Sequence, residues 1–128
     1  MSIWTHVVGA IRIDAMAFRC RPSVKDIEKI LNSTLFEGQG EKPRLPLGSE
    51  GSLAYSIHVY NKEANMPWAV LTVWGDLRDY DNTQEIRKWW RTTLCDLNTR
   101  NAYAPLYTVR DAILRVWVEG KRPHVWHK

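Results

Sequence analysis

Residues 53–77, LAYSIHVYNKEANMPWAVLTVWGDL, contain two strand-like runs close together in the chain. Two runs in which apolar and polar residues alternate, Leu53 to Tyr60 and Pro67 to Leu77, flank a short segment that begins and ends with asparagine. Alternation with a period of two is typical of a strand that buries one face, and a short polar connection between two such runs indicates a hairpin. The stretch therefore predicts two antiparallel strands joined by a turn at residues 61–65.

Outside this hairpin, the chain predicts two further strands and two helices. Residues 3–13 and 109–119 alternate as strands, while 23–34 and 82–98 carry apolar residues at helical spacing after N-capping residues. The resulting order is β-α-β-β-α-β. This order predicts a ferredoxin-like α+β sandwich, in which a four-stranded antiparallel sheet carries both helices on one face. A single domain spans residues 1–128, with a long Gly/Pro loop at 36–52 and a short tail at 120–128.

The composition is that of an ordinary globular domain with an unusual share of tryptophan. The 128 residues are 45% apolar and 25% charged, with a net charge of +4, and Trp (7) outnumbers both Tyr (5) and Phe (2). No secretory signal and no apolar run long enough to cross a bilayer are present, so we expect a cytoplasmic protein that does not contact membranes. Cys20 and Cys95 are expected to be reduced, buried thiols. No metal-ligand spacing or cofactor motif is found, so neither a metal nor a cofactor is expected.

The alternate residues of the four strands define a candidate binding surface. If the helices cover one face of the sheet, the residues between the core positions must face outward together. This outward set is rich in aromatic and basic side chains. We take its ligand-binding residues to be Trp4, His6, Arg12, His58, Tyr60, Trp74, Arg78, Arg115 and Trp117.

Two functions fit this surface, and both are non-catalytic. Aromatic rings on a sheet can stack on nucleobases while arginines contact phosphates, which favours binding of nucleic acid or a nucleotide. Trp and Arg are also enriched in protein interfaces, so the alternative is a protein partner or homo-oligomer, for example in a small regulator or inhibitor from a mobile element. A third alternative is that the tail or the long loop covers the face within the monomer.

A second anion site is a weaker candidate. Arg19 and Arg21 precede the first helix, and Lys42 and Arg44 lie in the glycine-containing loop, where backbone N–H groups could approach an anion. Phe18-Arg19, after the first strand of a ferredoxin-like domain, resembles the acylphosphatases. The resemblance implies a remote alternative function, an enzyme that handles phosphate. The segment 13–17, where the glycine-rich loop of that family would fall, contains no glycine.

Overall fold

A computed structural model of the chain describes residues 2–15, 21–33, 45–60, 67–98 and 107–128. Within these ranges the chain forms seven strands and two helices, so it is mostly β. In chain order they are β1 (Trp4–Ala15), α1 (Val24–Ser33), β2 (Leu47–Gly48), β3 (Gly51–Ser52), β4 (Ala54–Tyr60), β5 (Trp68–Arg78), α2 (Thr83–Leu97), β6 (Tyr107–Val118) and β7 (His124–His127).

Five strands form one antiparallel sheet in the order β4-β5-β1-β6-β7, and β2 and β3 form a separate two-stranded sheet. The prediction of a four-stranded ferredoxin-like sandwich is therefore wrong. The segment taken for a tail supplies the fifth strand, because residues 124–127 pair with Ile113–Val116 and satisfy backbone groups that β6 would otherwise leave unpaired. Part of the region predicted to be a loop supplies the second sheet. In the turn between its two strands, the Ser49 N–H donates to the carbonyl of Arg78 at 3.0 Å.

The two paired strands predicted at the centre of the sequence are confirmed: they run antiparallel, with Ile57 opposite Leu71. The turn predicted at residues 61–65 lies outside the described residues. Both helices begin where capping residues place them: the Ser23 hydroxyl accepts from the Asp26 N–H at 3.1 Å, and the Asn82 side chain accepts from the Glu85 N–H at 3.2 Å.

The core lies between the helices and one face of the sheet. The helices contact each other, and α1 also contacts β4 while α2 contacts β6. The tryptophan pair Trp89 and Trp90 of α2 is buried here, as its helical spacing predicts. Gly9 in the middle of β1 makes room for one of these rings, since a Cβ at this position would lie 2.9 Å from Trp90. The buried side chains of the central strands include Val7, Ile11, Ile13, Leu71, Val73, Leu77, Val109, Leu114 and Val116.

A β-bulge in β6 allows apolar residues on both sides of the bulge to face the core. Arg12 pairs with Asp111, but the next residue, Ile13, pairs with Val109, so Arg110 is the extra residue. Because of this insertion, Val109 stays in the core while Asp111 and the following alternate residues face away from the helices.

Candidate binding face

The sheet face opposite the helices, called here the open face, collects the predicted site residues. The register places Trp4 opposite Arg78, and His6 between Asp76 and Trp117. All nine residues predicted to bind a ligand lie at open-face positions: Trp4, His6 and Arg12 on β1, His58 and Tyr60 on β4, Trp74 and Arg78 on β5, and Arg115 and Trp117 on β6.

One group of aromatic rings, the β4-side cluster, is built from Tyr60, Trp68 and His58. Tyr60 stacks on Trp68 with 4.1 Å between ring centroids and 12° between planes, and His58 meets Tyr60 edge-on at 4.2 Å. The guanidinium carbon of Arg12 lies 4.4 Å from the Trp68 ring centroid, within cation–π distance. Arg12 also donates from Nε to Oδ1 of Asp14 at 3.0 Å. Trp68 is therefore in contact with a ring from β4 and a cation from β1.

A second group, the β6-side cluster, lies toward the opposite end of β1. The His6 ring is 5.1 Å from Trp117, and the guanidinium carbon of Arg115 is 4.8 Å from the same indole. The Nδ1 atom of His6 lies 2.5 Å from Oδ1 of Asp76, and its Nε2 atom lies 3.5 Å from Oε1 of Glu119. The carboxylates on both sides fix the plane of the imidazole, which in turn packs beside the indole.

Between the two clusters lies an apolar patch. Val8 (52% exposed), Trp74 (45%), Ile113 (43%) and Val125 (47%) retain about half of their surface in contact with solvent. The register places Trp74, Val8, Arg115 and Val125 side by side across four strands. Trp74 makes no ring or cation contact within the described residues, in contrast to Trp68 and Trp117. Contiguous exposed apolar side chains of this kind mark interaction surfaces more often than isolated ones do.

The charges on the open face nearly cancel. Three arginines, Arg12, Arg78 and Arg115, share it with four acids, Asp14, Asp76, Asp111 and Glu119. Arg78 is further engaged by the carboxylate of Glu50, and it donates from Nε to the Ser2 hydroxyl at 2.9 Å. Among the described residues, the face therefore carries no excess of the positive charge on which binding to a polyanion depends.

Several residues of the open face were not among the predicted site residues. Val8 and Val125 belong to the apolar patch, and Asp76 orients His6. The alternation of residues in β1 places Val8 on this face, so the position of Val8 could have been predicted from the sequence. The position of Val125 depends on the pairing of β7 with β6, which extends the open face and does not cover it.

Of the second candidate site, the structure describes only Arg21, which lies before α1. Arg19, Lys42 and Arg44 lie outside the described residues, as does Phe18 of the acylphosphatase resemblance. Arg21 is exposed and lines a cavity of about 290 Å³ at the beginning of α1, together with Val24, Val59 and Pro67. Cys95 is an exposed free thiol on α2, so the expectation of a buried cysteine is wrong at this position, and Cys20 lies outside the described residues.

Within the described ranges, no three His, Cys, Asp or Glu side chains come together in a group that could hold a metal ion. Neither helix in the described part of the chain combines the length and the apolar character needed to cross a membrane. Comparisons of the chain with protein families, with curated proteins and with solved structures found no match.

Proposed function

We propose that the open face binds another protein, one that presents an apolar centre surrounded by charges of both signs. The observation that carries this proposal is the apolar patch, in which Val8, Trp74, Ile113 and Val125 are each about half exposed between the β4-side and β6-side clusters. An apolar centre with a polar rim is the usual arrangement of a protein interface. The near balance of acids and arginines around this centre complements a partner of mixed charge.

Trp74 is expected to contribute most of the binding energy. It is large, 45% exposed and opposite Val8 on β1, and Arg115 lies on the far side of Val8. Because its ring is not stacked on another described ring, a partner can bury it without first breaking an internal contact. Tryptophan and arginine near the centre of an interface are the residue types that most often dominate affinity.

The same contacts make nucleic acid the less favoured ligand. Nucleobases need free ring faces; Trp68 already contacts Tyr60 and Arg12, and Trp117 already contacts His6 and Arg115, so stacking would depend mainly on Trp74. Phosphates need unopposed cations, whereas Arg12 is bound to Asp14 and Arg78 to Glu50, which leaves Arg115 as the one open-face arginine without an acid partner among the described residues. The interaction of a small regulator or inhibitor with its target protein fits these features better.

The test is capture from an extract of cells that express the protein, comparing the wild type with Trp74→Ala and with Val8→Asp. We expect one protein to be retained by the wild type in high salt and to bind Trp74→Ala at least about 30-fold more weakly, since a central tryptophan contributes about 2 kcal/mol or more. Lys88→Ala, on the exposed side of α2, is the matched control and should retain the partner fully.

Two results would overturn the proposal. One is a partner that binds the wild type and Trp74→Ala equally. The other is tight binding of a labelled single-stranded oligonucleotide that is lost in Trp74→Ala and falls steeply with added salt, which would assign the face to nucleic acid.

A further inference from the structure

Strand β4 forms an edge of the large sheet, and its own sequence contains none of the residue types that normally protect such an edge. It pairs with β5 on one side, and no described strand pairs with its other side. Its sequence, AYSIHVY, contains no lysine, arginine, acid or proline over seven residues. Every second residue of an unpaired edge directs its N–H and C=O groups outward, and long edges without charge or proline readily add another strand.

The side chains of β4 that face the helices are incompletely covered. Tyr55, Ile57 and Val59 pack against the core but remain partly exposed, whereas Leu71 and Val73 on the neighbouring strand are 1% exposed. Burial of the remaining apolar surface would be favourable. A further strand placed beside β4 would supply the missing cover on this side.

We propose that the added strand is β4 of a second copy of this chain, in antiparallel orientation about a two-fold axis at Ile57. In this register the helix-side neighbours are Ile57 with Ile57, and Tyr55 with Val59, so apolar groups meet apolar groups. On the open face, Ser56 lies opposite His58, a pair that can form a hydrogen bond. Pairs of these types stabilise antiparallel strands, and a two-fold axis repeats each pair. The resulting assembly is one continuous ten-stranded antiparallel sheet.

The surroundings of β4 are compatible with this arrangement. Helix α1, which contacts β4, carries two lysines and two acids, Lys25, Lys29, Asp26 and Glu28, so its own charges balance. Val59 lines the cavity of about 290 Å³ beside Val24, which is 42% exposed. Because Tyr55 of the second copy lies opposite Val59, its ring approaches this apolar space.

The experiment uses charge exchange at two open-face positions of β4, Ser56 and His58. We expect the full-length wild type to show a concentration-dependent monomer–dimer equilibrium in sedimentation equilibrium. Ser56→Lys with His58→Lys places lysine opposite lysine twice in the dimer, and Ser56→Glu with His58→Glu places glutamate opposite glutamate. Each double variant is expected to weaken the dimer about tenfold, and an equimolar mixture should recover it as a heterodimer, because lysine then lies opposite glutamate.

The matched control adds the same charge at the other edge of the sheet. His124→Lys with His127→Lys changes two exposed β7 residues outside the apolar patch, and the wild-type dimer constant should be preserved. A wild type that stays monomeric to millimolar concentration would overturn the inference. So would dimers that resist both charged variants while circular dichroism shows native folding, or a dimer abolished by His124→Lys with His127→Lys, which would place the contact at the β7 edge. None of these results bears on capture of a partner through Trp74, so this inference and the proposed function can fail separately.

Discussion

The two edges of the large sheet are built differently. The β7 edge is four residues long, follows Lys121, Arg122 and Pro123, and is followed by Lys128. The β4 edge is seven residues long and contains neither charge nor proline. Short length, cations and proline all discourage strand addition. Within the described residues, the β7 edge carries features that oppose strand addition and the β4 edge does not, which is why we place association at β4.

The two edges also differ in how their side chains meet the core. On β7, Trp126 packs against the core with the Arg87 guanidinium carbon 5.6 Å from its ring, so one large side chain anchors the strand. On β4, three smaller contacts from Tyr55, Ile57 and Val59 share this role and stay partly exposed. The free energy of unfolding should therefore fall more when Trp126 of β7 is removed than when one of the three β4 side chains is removed.

The largest expected effect is that of Trp126→Ala. Removing a partly buried indole should lower the free energy of unfolding by about 2 kcal/mol, somewhat below the loss expected for a fully buried tryptophan. The measurement is urea denaturation followed by circular dichroism. Val125→Ala, the adjacent residue on the open face, should change stability by less than about 0.5 kcal/mol. Equal losses in the two variants would show that β7 is not anchored through Trp126.

This anchoring could not be predicted from the sequence, and the reason is physical. The alternation in 53–60 and 67–77 identified the hairpin and the face of each residue, because a period of two fixes orientation over seven or more residues. Four residues, HVWH, are too short to carry such a signal, and their conformation depends on backbone groups that β6 offers. The same limit applies to β2 and β3, with two residues each.

The candidate site, too, could be predicted only in part. Strand alternation was sufficient to bring His6, Arg12 and Trp117 to one face. It could not show that the carboxylate of Asp76 would engage His6, because that contact depends on the register between β1 and β5. That register is set by tertiary packing, whereas alternation alone puts the acids Asp14, Asp76 and Asp111 on the same face as the arginines.

An intermediate effect is expected when the protection of β7 is removed. In Lys121→Gln with Arg122→Gln, the two cations before the strand are lost, so repulsion between β7 edges falls. We expect self-association through this edge to rise about twofold, equivalent to about 0.5 kcal/mol, in the range of exposed charge pairs. Light scattering over a series of concentrations measures it. Lys88→Gln with Arg91→Gln removes the same charge from α2, and a similar rise in that variant would attribute the change to net charge.

The smallest expected effect concerns pH and reports on β4, because β7 carries no tyrosine. Burial, followed by the charge and hydrogen bond of Glu28, raises the pKa of the Tyr55 phenol above its ordinary value of 10.0. The unfolded chain then loses this proton at lower pH than the folded chain does. Stability is therefore complete below about pH 10 and declines as the pH rises from there through the folded-state pKa.

Tyr55→Phe removes the titrating group, so the decline in the free energy of unfolding above pH 10 should become shallower. Urea denaturation at several pH values from 9 to 11 measures the slope. Burial, followed by the charge and hydrogen bond of Glu85, likewise raises the pKa of Tyr80, which lies outside β4. Part of the decline in the free energy of unfolding should therefore remain in Tyr55→Phe. The double variant Tyr55→Phe with Tyr80→Phe should flatten the curve further, by the sum of the two single effects, since the residues lie on different elements. Identical slopes for the wild type and Tyr55→Phe would mean that the phenol is no more buried than in the unfolded chain, and β4 would then be less closely joined to α1 than its contact with Glu28 implies.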